Sequence, residues 1–483
     1  MSSPSQHAQR SAHQPQAARV AVIGGGLSGL AAACALADTG YHVSLFERRP
    51  YLGGRASSYQ HPGTGEVVDN CQHVLLGCCT NLLDFYRRLG VEGKIRWFRR
   101  ITFIEPGGRR GTLEPAGIPA PFHSSLAFLR YPLLSMRDKF GVARAMLAFM
   151  DGVPKDASEQ DFLGWLRHHG QTQRAIDRFW TPVLVSALNE ELDRVSVYYG
   201  AMVFRDAFLK SAEAGRMGIP TVPLSELYGV AADYIRARGG QVHLRASVES
   251  FSPHGECVRI TVDGRQLEFD YAVPAVPFNV LARLLPEGDA SADLRSALTQ
   301  FDSSPITGVH LWFDREVTEL EHAVLLDRNI QWMFNKSKLL AGRVASPDAP
   351  LAAGSYLELV VSSSKSMVEM SRQNVIELAI KELAEFFPAV KEARLLKGTV
   401  IKEVHATFAP TAISELHRPQ PQSAWSRIFL SGDWTATGWP ATMEGAVRGG
   451  YASAEVLTRA AGSPKTFLVP DLPARGLMRL FKD

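Results

Sequence analysis

The chain lacks long apolar runs and long basic runs, and each absence excludes a class of protein. No stretch approaches the roughly 20 apolar residues that a membrane-spanning helix needs. The formal net charge of the 483 residues is only +3, and without a Lys/Arg cluster we do not expect nucleic acid as a partner. Residues 1–17 are polar, without the apolar core of a signal peptide, and are predicted to be a disordered tail.

Cysteine is also scarce. An odd count of five, without paired C-x-x-C motifs, is typical of a reducing compartment, so we expect a cytoplasmic protein. Buried thiols are the favoured interpretation, and we expect no metal site. The five cysteines are Cys34, Cys71, Cys78, Cys79 and Cys257.

Composition is otherwise that of a globular protein, with 46% apolar and 21% charged residues. A chain of this length exceeds one ordinary hydrophobic core, and we therefore expect two connected domains.

The most informative motif lies near the start of the chain. Residues 19–23 form a short β-branched run typical of a buried parallel strand. Gly24, Gly26 and Gly29 follow at G-x-G-x-x-G spacing, and residues 30–37 are predicted to form a helix. This spacing lets a pyrophosphate approach the backbone at a helix N-terminus, so it indicates a dinucleotide cofactor.

A second predicted strand, residues 42–46, ends in Glu47. An acid at this separation from the glycines is expected to bind a ribose hydroxyl, although it could be an ordinary exposed strand-end residue. Gly53 and Gly54 then form another glycine turn, and Arg55 could donate to a phosphate or simply lie on a surface loop. Residues 80–90 are predicted to be helical.

The alternation of predicted strands and helices is lost between residues 100 and 225. Residues 116–150 are apolar with basic residues interspersed, and residues 139–150 are predicted to be helical. The commoner explanation is the core of a helical second domain, and the alternative is a surface that lies on a membrane. Residues 475–482 could add a small amphipathic contact, although a frayed terminus is favoured.

Strand patterns return at residues 241–273, where Asp263-Gly264 predicts a hairpin turn. Further strands are predicted at 308–313, 356–361 and 427–431. The last of these leads into Gly432-Asp433, a loop and a helix that begins near residue 441. Asp433 could bind ribityl hydroxyls or cap a turn.

We therefore predict an α/β protein, α+β overall, in which a Rossmann-type cofactor domain is assembled from both chain ends. A substrate domain of mixed sheet and helices interrupts it. The predicted order is cofactor domain at 18–100, substrate or membrane-facing part at 101–225, cofactor domain with hairpin at 226–277, substrate domain at 278–400, cofactor domain at 401–460 and a tail at 461–483.

These motifs together resemble the FAD-dependent amine oxidase and carotenoid desaturase superfamily. The run 442–447, Thr-Met-Glu-Gly-Ala-Val, is similar to that of plant-type phytoene desaturases. Residues 69–77, 83–90 and 432–440 resemble the squalene-associated desaturases, the hydroxysqualene dehydroxylases of bacterial hopanoid synthesis. The resemblance extends over nearly the whole chain beyond residue 18.

The resemblance implies FAD as cofactor, with Glu47 on the adenosine ribose and Arg55 beside the pyrophosphate or flavin. It also implies that the main chain at Val248 lies near the adenine, and Asp433 and Met443 near the ribityl chain and flavin ring. Cys71 departs from the glycine usual in the superfamily. The implied cofactor-binding residues are Gly24, Gly25, Gly26, Leu27, Ser28, Gly29, Glu47, Arg48, Gly53, Gly54, Arg55, Gln72, His73, Val248, Gly432, Asp433 and Met443.

The implied reaction is reductive removal of the hydroxyl of hydroxysqualene, with hydride from reduced flavin. The sequence identifies no catalytic acid. His73 is a weak candidate that could equally be structural, and Trp439 could wall the site or pack in the core. A membrane surface and upstream prenyl synthases are the further partners considered.

Three alternative functions remain open. One is a carotenoid-type desaturase that uses oxidised flavin. Another is an amine oxidase, disfavoured because no lysine equivalent to the one beside flavin N5 is evident. The last is a non-catalytic FAD-binding isoprenoid carrier.

Overall fold

A computed structural model describes residues 17–153, 161–340 and 354–481, so nearly all of the predicted N-terminal tail lies outside the described residues. Its first sheet has four parallel strands. The buried run Arg19–Ile23 occupies an inner position, as its continuous apolar pattern predicts. In spatial order the strands are Gln241–Leu244, His42–Glu47, Arg19–Ile23 and Tyr271–Pro274.

Helices from the two chain ends pack together on one face of this sheet. Leu27–Asp38 and Met443–Ala460 approach so closely that a Cβ on Gly450 would lie 2.3 Å from the carbonyl oxygen of Ser28. The hydroxyl oxygens of Ser28 and Ser431 lie 2.6 Å apart. Both ends of the chain therefore build one unit.

The other face of the sheet is covered by an antiparallel three-stranded sheet, Val248–His254, Cys257–Val262 and Arg265–Phe269. The Asp263-Gly264 hairpin is present. The predicted strand at 427–431 is wrong as a regular strand: it forms only isolated bridges, Ala272 to Ile428 and Gln422 to Phe429. Burial of its apolar side chains requires only an extended chain there, without a full ladder.

A third sheet, of seven strands, is antiparallel except for one pair. The predicted strands at 308–313 and 356–361 are present and longer, and the helix Arg372–Phe386 covers them. The predicted boundary at residue 400 falls inside a single strand of this sheet. In spatial order the strands are Leu395–Phe408, Ser303–Phe313, Ser355–Ser362, Trp332–Asn335, His322–Leu325, Ile101–Ile104 and Arg110–Leu113.

Most of the chain between residues 122 and 209 is helical, with an aromatic core around Phe149, Phe162, Trp180 and Phe204. The core interpretation is therefore correct for the inner side of the 116–150 segment. No helix among the described residues has the length and apolarity needed to cross a bilayer. The helical segments are Phe122–Ser124, Ser125–Arg130, Met136–Ala148, Phe162–His168, Gln173–Ala175, Ile176–Trp180, Thr181–Leu188, Val197–Val203 and Phe204–Leu209.

The remaining elements are shorter. All of these sheets and helices together confirm the predicted α/β class. The predicted helix at 80–90 is present as Thr80–Arg88. The remaining strands are Ser58–Gln60 with Val67–Asp69, and Leu75–Leu76 with Met217–Pro220 and Ile95–Phe98. The remaining α-helices are Leu224–Arg236, Phe278–Leu284, Ala292–Leu298, Lys336–Leu339 and Ala412–Leu416, and single 3-10 turns are Glu92–Lys94, Asp289–Ser291, Lys365–Met367, Pro388–Lys391 and Gly476–Leu480.

Candidate active site

A cavity of about 650 Å³ begins at the carboxyl ends of the parallel strands and extends towards the seven-stranded sheet and the helical layer. This is the edge at which open α/β sheets bind ligands. Residues from both chain ends line it, including the first glycine turn and the 432–444 segment. Its walls change from polar near the glycines to mainly apolar at the far end.

The first glycine turn is shaped for a close approach. Gly24 has φ +109°, and a Cβ on Gly54 would lie 2.8 Å from the Cα of Gly26. The helix Leu27–Asp38 has no side-chain cap and no acid in its first turn. Its free N–H groups and positive dipole end are therefore available to a phosphate.

Glu47 is buried and lines the cavity, so the exposed-residue alternative is wrong. One carboxylate oxygen accepts from the Gly25 N–H at 2.7 Å and the other from the Arg49 N–H at 2.7 Å. These bonds hold the acid against the glycine turn. Arg48 and Val248 line the same end of the cavity.

Arg55 forms an ion pair with Asp433, and both line the cavity. Its Nη2 lies 2.8 Å from each carboxylate oxygen, and Nη1 donates to the carbonyl of Ala406 at 2.9 Å. A simple surface-loop role for Arg55 is therefore wrong. The pair joins the second glycine turn to the C-terminal motif.

The 69–73 loop is supported from behind by a lysine that sequence reasoning missed. The Nζ of Lys336 lies 2.7 Å from Asp69, 2.8 Å from Gln72 and 3.3 Å from Glu358. Lys336 itself does not line the cavity, and no lysine does among the described lining residues. It follows Trp332–Asn335, more than 260 residues from the loop it holds, and no local pattern marks it.

Burial perturbs two further groups around this lysine. It raises the pKa of Glu358 to about 7, against the opposing charge of Lys336. It lowers the pKa of His310 to about 3. The Nδ1 of His310 lies 2.8 Å from the Tyr356 hydroxyl.

His73 lines the cavity and is held as a neutral ring. Its Nδ1 lies 2.7 Å from the carbonyl oxygen of Cys71, to which it donates. Burial lowers the pKa of His73, so the ring is uncharged at neutral pH and a poor proton donor. Gln72 and the buried Cys71 also line the cavity, so the side chain that replaces the usual glycine occupies this wall.

The start of the last long helix forms the adjoining wall. Trp439 is largely buried and lines the cavity, with the guanidinium of Arg448 4.6 Å from its ring centroid. The sulfur of Met443 accepts from the Tyr228 hydroxyl at 3.3 Å. Glu444 accepts from the backbone N–H groups of residues 81 and 82, at 3.1 and 2.7 Å.

One carboxylate interrupts the far wall, and sequence reasoning missed it. Asp206 lies in the π-helical turn Phe204–Leu209 and lines the cavity. Its Oδ1 lies 2.9 Å from the Nζ of Lys210, which is buried. The apolar side chains around this end are Ile101, Phe103, Val183, Met202, Phe208, Val324 and Trp332.

The family model for flavin-containing amine oxidoreductases matches residues 27–458. The chain belongs to this family. It is therefore an FAD-dependent oxidoreductase, and the predicted cofactor is confirmed. The glycine turns, the uncapped helix and the buried Glu47 carboxylate fit the phosphates and ribose of FAD. That the Arg55–Asp433 pair and Met443 lie beside its flavin part stays a prediction.

Two curated relatives of this family member are similar along almost their whole length. A 15-cis-phytoene desaturase of Synechococcus elongatus is 26% identical over 460 residues, covering 91% of this chain and 95% of the relative. A probable zeta-carotene desaturase of the same organism is 27% identical over 479 residues, covering 92% and 99%. Both are carotenoid desaturases.

Solved structures share the family fold at low identity. An oxidoreductase of Methanosarcina mazei has a TM-score of 0.69 at 19% identity, covering 89% of this chain and 98% of that one. Cyclohexylamine oxidase of Brevibacterium oxydans has a TM-score of 0.67 at 16% identity, covering 92% and 100%. These similarities show the architecture of the chain.

Proposed function

We propose that the protein reductively removes the hydroxyl of hydroxysqualene to give squalene. The observation that carries this proposal is the Asp206–Lys210 ion pair in the wall of a largely apolar cavity. Lys210 pairs with Oδ1 of this carboxylate, but an apolar ligand against its remaining lone pairs would displace water without offering a hydrogen bond. An isoprenoid alcohol compensates for this loss by donating a hydrogen bond, whereas a pure hydrocarbon cannot.

FAD, when bound and reduced, would supply the hydride for this reaction. The C–O bond of the substrate breaks with its electron pair on oxygen, the oxygen takes a proton and leaves as water, and the carbon takes the hydride. Asp206 accepts a hydrogen bond from the hydroxyl and places it. The Lys210 ammonium, 2.9 Å from Asp206, passes a proton to that carboxylate. Asp206, now a carboxylic acid, gives this proton to the departing oxygen and is again a carboxylate, and the neutral Lys210 amine regains a proton from solvent.

Other groups hold the substrate and exclude water. The apolar walls around Phe103 and Phe208 suit an isoprenoid chain. His73 is uncharged and committed to the carbonyl of Cys71, so in this proposal it shapes the wall and does not act as the acid.

A second candidate is desaturation of a carotenoid precursor by oxidised FAD. The similarity to phytoene and zeta-carotene desaturases over more than nine-tenths of the chain favours it. In that reaction hydride moves from the isoprenoid to the flavin, and Asp206 would have no hydroxyl to bind.

The test uses the FAD-loaded protein, reduced without oxygen and mixed with hydroxysqualene in detergent. Flavin reoxidation with stoichiometric squalene supports the proposal. Turnover of phytoene by the oxidised protein, with none of hydroxysqualene, would establish the second candidate. Tight FAD binding, without redox exchange between the flavin and either substrate, would favour the non-catalytic carrier function.

Asp206→Asn tests the assigned role. We expect the rate of squalene formation to fall roughly 100-fold with an unchanged flavin spectrum. Asp233→Asn is the matched control, since that side chain is 86% exposed on another helix. Wild-type rates in Asp206→Asn would reject the role of the pair without rejecting the reaction.

A further inference from the structure

One side of the molecule carries a concentration of exposed apolar side chains. Of the seventeen large apolar side chains that are exposed among the described residues, nine belong to three segments, 118–129, 136–147 and 477–480. Their members, here called the apolar face, are Ile118, Phe122, Leu126, Leu129, Met136, Phe140, Leu147, Leu477 and Leu480.

The C-terminal segment is attached to this face. The Leu477 N–H donates to the carbonyl of Ala120 at 2.9 Å, and Met478 is buried as an anchor. Gly476 has φ +57°, and a Cβ there would lie 2.4 Å from the Ala120 carbonyl oxygen. The expectation of a frayed terminus is therefore wrong for residues 476–480, which form a 3-10 turn.

The helix Met136–Ala148 is apolar on two sides. Val142 and Ala145 point into the aromatic core, and Phe140 and Leu147, 70% and 58% exposed, point outward. The inner row accounts for the stability of the helix. The outer row lies mostly in solvent, and large exposed apolar patches mark interaction surfaces.

The charges on the face have one sign. The exposed ionic side chains within residues 115–148 are Arg130, Arg137 and Arg144. Asp138 is the single acid there, and it is buried as the cap partner of Ser135. Residues 472–481 add two exposed cations, Arg475 and Arg479, and no acid.

The apolar face also adjoins the far end of the cavity. The Arg475 N–H donates to the carbonyl of Lys210 at 2.9 Å. Lys210 directly follows the turn Phe204–Leu209, which carries Asp206, and Phe208 of this turn lines the cavity. The C-terminal segment of the apolar face is therefore bonded to the part of the chain that lines the far end of the cavity.

We infer that the apolar face docks on an anionic phospholipid bilayer, with its apolar side chains among the acyl chains and its arginines at the phosphates. Apolar side chains ringed by cations are the pattern of surface-bound amphipathic helices, and each cation near an anionic leaflet adds to the attraction. This inference does not depend on which reaction the protein catalyses.

Co-sedimentation of the FAD-loaded protein with vesicles tests the inference. We expect binding to phosphatidylcholine vesicles that contain 30% phosphatidylglycerol, and at least tenfold weaker partitioning into pure phosphatidylcholine or at high salt. Equal recovery in the supernatant with and without vesicles would overturn the inference. Equal binding to both lipid compositions would overturn the part that assigns anionic lipid.

The double variant Phe140→Asp/Leu480→Asp is expected to lose vesicle binding at least tenfold, with unchanged flavin absorbance and Tm. Leu416→Asp is the matched control, because Leu416 is 69% exposed and lies outside the apolar face. Unchanged binding by the double variant would overturn the inference. So would light scattering that shows a dimer of the wild type, dissociated by the double variant, with no vesicle binding.

Discussion

The guanidinium of Arg55 and the carboxylate of Asp433 face each other across 378 residues of sequence, with Nη2 2.8 Å from both oxygens. Asp433 is buried and Arg55 is mostly shielded from solvent. The pair lines the cavity and joins the second glycine turn to the 432–440 segment, so each residue positions the other.

Asp433→Ala is expected to weaken FAD binding because it leaves the Arg55 guanidinium without its partner. Loss of a hydrogen bond to a charged group costs about 1.5–3 kcal/mol, or roughly 10- to 100-fold in affinity. Titration of the apoprotein with FAD measures it. Asp302→Ala, which removes a 72% exposed partner of Arg194, should bind FAD normally. Equal affinity in all three proteins would show that the pair has no role in the site.

The second glycine turn gives a sharper steric test. Gly54→Ala places a Cβ 2.8 Å from the Cα of Gly26, at φ +61°. Gly65→Ala has a similar φ of +73° with nothing within 4 Å. Both variants should lose about 1–2 kcal/mol of stability from the left-handed backbone, and only Gly54→Ala should lose bound flavin. Flavin retention by both variants would mean that the approach of the two turns does not shape the site.

Lys336→Met should be strongly destabilising, because it leaves the buried carboxylate of Asp69 without its cation and, above about pH 7, that of Glu358 as well. Removal of one partner from a buried ionic group costs about 3–5 kcal/mol. Lys338→Met, at a partly exposed pair with Glu316, should cost less than about 1 kcal/mol. Denaturant unfolding compares them. Similar losses in the two variants would contradict the assigned role of Lys336.

The raised pKa of Glu358 predicts a pH dependence of stability. Between pH 4.5 and about 7 the carboxyl is ionised in the unfolded chain and protonated in the folded one. The free energy of unfolding therefore falls as pH rises through this window, by roughly 3 kcal/mol in total, and levels off above it. Glu358→Gln should lack this contribution, whereas the exposed Glu377→Gln should retain it. Parallel unfolding profiles of wild type and Glu358→Gln from pH 4 to 8 would reject the prediction.

The local patterns of the sequence predicted the structural elements around the first glycine turn correctly. The strand Arg19–Ile23, the three spaced glycines and the following helix are contiguous, so short-range sterics and hydrogen bonding determine them. Glu47 was identifiable for the same reason, since one βαβ unit sets its distance from the glycines. The strand predicted at 427–431 failed because an apolar run indicates burial and not a regular ladder.

The sequence by itself determined the family, the FAD cofactor and the α/β class. Each of these depends on motifs, the glycine turns with Glu47 and the 432–447 segment, that each span only a few tens of residues. Only the tertiary structure decided which distant groups meet. It placed Lys336 behind the 69–73 loop, Asp206 in an apolar wall and Leu477 beside Ala120. Such contacts join residues that are remote along the chain. They depend on how the whole chain packs, so no local pattern in the sequence predicts them.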